Sequence, residues 1–233
     1  MNSIHSSPSA DSQYPVLATP STATQQEAVK RVLRNTYALL SMTLLFSAVI
    51  AAASMALKLP PPGLIVTLVG YFGLLYAVYK LKSSAWSLLA VFALTGFMGY
   101  TLGPLLALKL ALPGGDATIA LALAATGTTF LALSGYVLVT RRDFNFMGSF
   151  LFVGMIVALI ASIASIFLQM PALALAISAA VALLSAGLIL FETSHIVNGG
   201  ETNYVLATVG LYVSIFNLFT SLLSLFGYGG SSE

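Results

Sequence analysis

The stretch NTYALLSMTLLFSAVIAAASMAL, from Asn35 to Leu57, runs for 23 residues without a charge. Coiled as a helix at 1.5 Å per residue it is about 34 Å long, enough to cross the roughly 30 Å hydrocarbon core of a bilayer. It stops at Lys58 and the Pro60-Pro61-Pro62 break, and the same pattern then returns six times, at residues 63–79, 85–108, 117–140, 146–168, 172–195 and 204–226. The breaks include Pro113-Gly114-Gly115-Asp116, Arg141-Arg142-Asp143, Met170-Pro171 and Asn198-Gly199-Gly200, which read as helix stops and tight turns. The sequence therefore predicts an all-α membrane protein with seven transmembrane helices, consecutive ones antiparallel, over residues 30–233.

Composition agrees. Charged residues make up 7% of the chain, against about 25% in an ordinary soluble domain. With 58% hydrophobic residues in 233 there is no room for a separate soluble domain. The absence of cysteine excludes disulfides, thiolate zinc sites and thiol catalysis. The two histidines, His5 and His195, lie far apart in the chain, so no histidine metal site is predicted. No Lys/Arg cluster of the kind that binds nucleic acid is present. Residues 1–29 are rich in Ser, Thr, Pro, Gln and Ala without hydrophobic periodicity, and predict a disordered tail. A secretory signal fits poorly, because the first apolar run begins only at Thr36 and is long enough to span. Of the nine cations, Lys30, Arg31, Arg34, Lys80, Lys82, Arg141 and Arg142 fall on one side, and Lys58 and Lys109 on the other. The positive-inside rule then makes the N-terminal tail cytoplasmic and puts Glu233 on the far, periplasmic side.

One acidic residue lies inside a predicted span: Glu192, in the sixth. An intramembrane carboxylate costs several kcal/mol and marks a functional site by default. The alternative is that Glu192 snorkels toward the nearby turn and pairs with His195 one turn on. Ser178, Ser185 and Glu192 recur every seven residues and share a face. In the seventh span Ala207, Gly210, Ser214, Asn217, Ser221 and Ser224 form a small and polar stripe. Such stripes turn toward other helices or water, because lipid offers them no partners. A serine can satisfy itself on its own i−4 carbonyl, which Asn217 does less easily. Glu192 lies about 9 Å from the turn at Asn198, and Ser214 about 16 Å from Asn203, so a shared polar cavity near the turn is predicted between these two helices. In the third span Gly99, Gly103 and Pro104 form a G-x-x-x-G followed by proline. It reads either as close helix packing with a kink or as a broken helix lining a pathway. No catalytic template appears: there is no intramembrane aspartate pair and no H-E-x-x-H, and Ser194 and His195 are adjacent and so diverge on a helix. Neither an enzyme nor a cofactor is expected.

Phe191 to Tyr204, FETSHIVNGGETNY, followed by Leu211 to Phe219, LYVSIFNLF, resembles the carboxyl-terminal signature of the Bax inhibitor-1 family, and especially its bacterial YccA-type branch. Gly99 to Pro104 resembles the family's third-helix motif, and Val32 to Tyr37 the start of its first helix. The resemblance covers about residue 30 to the end. It implies a bundle whose last helix is enclosed by the other six, and one of two roles. Channel-like members leak calcium under the control of two titrating aspartates, one in each of the last two helices. The first position matches Glu192; the second matches Ser214, so the coupled carboxylate pair is absent here. YccA-type members associate in the bacterial inner membrane with the AAA protease FtsH and restrain its action on other membrane proteins. The resemblance thus implies FtsH as a partner, with a calcium ion leak through Glu192 as the alternative.

Overall fold

The computed structural model describes residues 22–229. The described chain forms α1 (Thr22–Ala56), α2 (Leu64–Leu81), α3 (Ser87–Leu110), α4 (Gly115–Thr140), a single 3-10 turn (Asn145–Met147), α5 (Gly148–Leu168), α6 (Pro171–Val197) and α7 (Tyr204–Gly229). All seven α-helices are long and apolar enough to cross a membrane. The predicted spans hold to within a few residues, except at the start of α1. That helix begins at Thr22, so residues 22–29 are helical where an unstructured tail was expected. Gln25, Gln26, Glu27 and Ala28 are good helix formers, and a helix already nucleated in the membrane lengthens by one hydrogen bond per residue. The rest of the expected tail, residues 1–21, lies outside the described residues.

The helix ends show why the connections are so short. Lys58 sits in the left-handed region at φ 49°. Its N–H bonds Met55 O at 3.1 Å, and Leu59 N–H reaches Ser54 O at 3.0 Å. This is the paired Schellman arrangement, and the Pro60-Pro61-Pro62 run that follows forbids further helix. Gly199, at φ 76°, closes α6 in the same way through Ile196 O and His195 O. Arg141 and Gln169, at φ 51° and 50°, end α4 and α5 with one bond each, to Val137 O and Ser165 O.

α7 is central. Half of its span is buried, more than in any other helix, and almost none of α2 is. It packs against α6, α4, α1, α3 and α2, but not against α5, which touches only α6 and the 3-10 turn. The enclosure is therefore by five helices, and the expectation of six is corrected. α5 is the most apolar of the spans, so lipid solvates nearly all of it and nothing forces it inward. The buried core joins Leu40 of α1, Val91 and Leu94 of α3, Ile189 and Ile196 of α6, and Leu211 and Tyr212 of α7. Leu45, Val49, Ile65, Val69, Phe150 and Phe167 are exposed and form part of the surface that faces lipid.

Candidate functional site

The α6–α7 hairpin is held by its own polar side chains. Asn203 Oδ1 accepts from the N–H groups of Val205 (2.9 Å) and Leu206 (3.3 Å), capping α7. Its Nδ2 donates to Lys82 O at 2.9 Å and ties the cap to the α2–α3 connection, while Glu201 Oε1 accepts from Asn203 N–H at 2.7 Å. The register of the two helices follows from this fixed turn.

In that register the half-buried Glu192 side chain lies against Gly210 of α7. A Cβ at Gly210 would stand 2.6 Å from the carboxyl carbon, so the glycine makes the room that the carboxyl occupies. Ser214 is buried one turn deeper, and its Oγ donates to its own Gly210 O at 2.9 Å. Glu192 therefore meets the stripe of α7 at Gly210 rather than at Ser214. Glu201, on the connection, adds a negative charge to its surroundings.

His195 does not join Glu192, so the alternative in which the two pair is not the one formed. Its Nδ1–H donates to Asn145 Oδ1 at 2.8 Å, and its ring stacks on Phe191 with centroids 5.5 Å apart. Gly200 leaves room for the ring, since a Cβ there would fall 2.6 Å from His195 Cε1. His195 thus fastens the α4–α5 connection to α6. Neighbouring Ser194 does the same: it accepts from Phe144 N–H (2.9 Å) and from Asn198 Nδ2 (3.1 Å), and donates to Arg142 O (3.1 Å).

Seven residues before Glu192 on α6 is Ser185, and seven residues after Gly210 on α7 is Asn217. Equal steps from one contact along antiparallel helices put them at one depth, about 10 Å further from the turn. Ser185 is fully buried and its Oγ has no hydrogen-bond partner. Among the described residues the half-buried Asn217 side chain forms no hydrogen bond either; it is the residue's backbone carbonyl that accepts from Thr220 Oγ1, at 3.2 Å. The interior between α6 and α7 thus offers one carboxyl, then an unpartnered hydroxyl and amide. Such groups can hold a proton or solvate a single cation or water. Among the described residues no three His, Cys, Asp or Glu gather into a metal-binding group.

Gly99 and Gly103 lie where α3 meets α1. A Cβ at Gly99 would run into the carbonyl oxygen of Ser47, and one at Gly103 would stand 2.6 Å from Ser54. Pro104 lacks the N–H that would bond Tyr100 O, and Ser54 Oγ of α1 supplies the missing donor at 3.1 Å. α3 is continuous through the proline, so the broken-helix reading gives way to packing. The sequence reading missed Tyr212, 1% exposed at the centre of the bundle. Its hydroxyl meets Ser47 Oγ at 2.6 Å and donates to Thr95 O at 3.4 Å, joining α7 to α1 and α3. A tyrosine in mid-span has to find such a partner, and that was the available signal.

Residues 29–231 match the family described as Inhibitor of apoptosis-promoting Bax1. The chain belongs to this Bax inhibitor-1 family. Over 198 residues it is 55% identical to the Modulator of FtsH protease YccA of Escherichia coli (strain K12), covering 85% of this chain and 90% of that protein. It is equally similar, over the same shares, to the Inner membrane protein YccA of Escherichia coli O6:H1. A Pseudomonas aeruginosa protein is 49% identical over 213 residues, which is 91% of this chain and 96% of the relative. The match to the Bax inhibitor-1 family takes in all seven helices, the hairpin and the glycine motif of α3. The protein is accordingly a multi-pass membrane protein of that family.

Proposed function

We propose that this protein resides in a bacterial inner membrane, where it binds the AAA protease FtsH and modulates its action on other membrane proteins. The observation that carries the reading is the 55% identity, spanning most of both chains, to the Escherichia coli protein named as a modulator of that protease. The bundle suits a partner that docks and resists extraction. α7 cannot leave without separating from five helices, and hydrogen bonds from Tyr212 to α1 and α3 must break with it. In this reading the N-terminus is cytoplasmic and the C-terminus periplasmic, in keeping with seven of the nine cations lying on the N-terminal face. Cross-linking and co-purification from native membranes test it. Enrichment of FtsH over unrelated multispan proteins is expected, and no enrichment sinks the reading.

A second reading, a calcium leak through the α6–α7 interior, draws on Glu192 together with the unpartnered Ser185 and Asn217. Against it stands Ser214, which offers no second carboxylate and gives its proton to its own backbone. Protein in liposomes loaded with a calcium dye separates the two readings. Flux abolished by Glu192→Gln promotes the channel, and silence across roughly pH 6 to 8, the span around neutrality in which a tuned acid–base group works, removes it.

A further inference from the structure

The basic face of the bundle contains a recess of about 310 Å³, within the size range of small-ligand sites. Three elements distant in sequence build it: the first turns of α1, the end of α4, and the end of α6 with its turn. Gly199 of that turn faces α1, where a Cβ would lie 3.7 Å from Val29 Cγ2. Two cations border the recess, Lys30 and Arg141, and Gln25, Gln26 and Asn198 add amide groups. Among the described residues neither cation forms an ion pair or a side-chain hydrogen bond. Among the described residues no acidic side chain lines the recess, and the nearby Asp143 uses Oδ1 on the N–H of Asn145 at 2.8 Å.

Depth identifies the ligand. Lys30 stands six residues before Thr36, where the apolar run begins, or about 9 Å along the helix. Arg141 follows Thr140, the last residue of α4. Both cations therefore stand outside the hydrocarbon, Arg141 in the headgroup layer of roughly 5–8 Å on each side and Lys30 at its outer edge. Leu33 and Leu138 continue the wall of the recess toward the apolar zone. A group with a compact negative charge above and an aliphatic body below matches both halves. We infer that the recess between α1, α4 and the α6–α7 turn binds a phosphate group, carried by the headgroup of an anionic bilayer phospholipid and held by Lys30 and Arg141. The inference goes beyond the protease reading and does not depend on it.

The test is native mass spectrometry of the full chain at fixed ionic strength, titrated with phosphatidylglycerol or phosphatidylcholine. The variant carries Lys30→Gln with Arg141→Asn; asparagine tolerates the left-handed backbone at this position, so the end of α4 is kept. Wild type should hold phosphatidylglycerol more tightly, and the variant should lose about 30-fold, about 2 kcal/mol in all or about 1 for each direct contact to the phosphate. Lys30→Gln alone should lose about fivefold. A control, Lys80→Gln with Lys82→Gln, removes the same charge from the same face but no group that borders the recess, and should lose under about threefold. Equal losses in variant and control, or none in the variant, overturn the inference. A second arm titrates inorganic phosphate into protein in phosphatidylcholine nanodiscs. Lys30- and Arg141-dependent binding there as tight as to the lipid keeps the phosphate site but overturns the lipid as its source. Absence of such binding, with the lipid loss intact, assigns the site to the headgroup.

Discussion

Replacing Ser54 by alanine tests whether the fold relies on a hydrogen bond that one proline makes necessary. Pro104 leaves Tyr100 O without its intrahelical donor, and Ser54 Oγ fills the gap at 3.1 Å from across the α1–α3 interface. Side-chain hydrogen bonds between membrane helices average only about 0.6 kcal/mol, because separated helices also find partners for the same groups. Here the carbonyl is orphaned within α3 itself, so separating the helices gives it no substitute. The expected cost of Ser54→Ala is therefore nearer that of stranding a buried acceptor, about 1–2 kcal/mol. Alanine keeps the Cβ against which Gly103 packs, so little else changes. In a Pro104→Ala background residue 104 regains an N–H, Tyr100 O is satisfied within α3, and Ser54→Ala should cost under about 0.5 kcal/mol. The small cavity left by Pro104→Ala is common to both legs and cancels in the cycle. SDS-driven unfolding in mixed micelles, followed by circular dichroism on all four proteins, measures the coupling. Equal costs of Ser54→Ala in the two backgrounds, within about 0.5 kcal/mol, would refute the argument.

The two kinds of close glycine should behave differently. Gly99→Ala meets the backbone oxygen of Ser47, which cannot move without parting α1 from α3, so the same assay should show a loss of about 1–3 kcal/mol. Gly210→Ala meets only the mobile end of Glu192, so its stability should stay within about 1 kcal/mol of wild type; a larger loss would mean that the carboxyl is rigidly held. Glu192→Gln should leave FtsH co-purification unchanged if docking rather than ion passage is the function, and a lost association would tie the carboxyl to partner binding. Deletion of residues 2–20 spares all of α1, which begins at Thr22. If the protease engages this protein by its N-terminal segment, the truncated form should outlive the full chain in cells with active FtsH while still co-purifying with it; equal lifetimes exclude that segment as the handle.

The sequence made some of this architecture legible and hid the rest for a physical reason. Apolar run length fixes how far a helix reaches, and Pro60-Pro61-Pro62, Met170-Pro171 and Asn198-Gly199-Gly200 fix where it stops, so the spans were readable to within a few residues except at the start of α1. Which way a helix faces is written only where polar residues break its apolar circumference. α7 carries such a stripe, and its contact with Glu192 was anticipated to within one turn: Gly210 takes the place expected of Ser214. α5 carries none, being apolar on nearly every side, and so its position outside the ring around α7 left no mark in the pattern. His195 failed for another reason. The rule that residues one turn apart interact names Glu192 as its partner, but Asn145, 50 residues away, is presented by the 3-10 turn before α5 and takes the ring nitrogen first. Local spacing can propose a pair but cannot see a competing donor or acceptor brought in by the fold. Gly99, Gly103 and Pro104, which lie at the α1–α3 contact, needed no distant partner to be chosen for them. A missing Cβ demands a close neighbour, and a missing N–H demands a foreign donor, whichever helix supplies them.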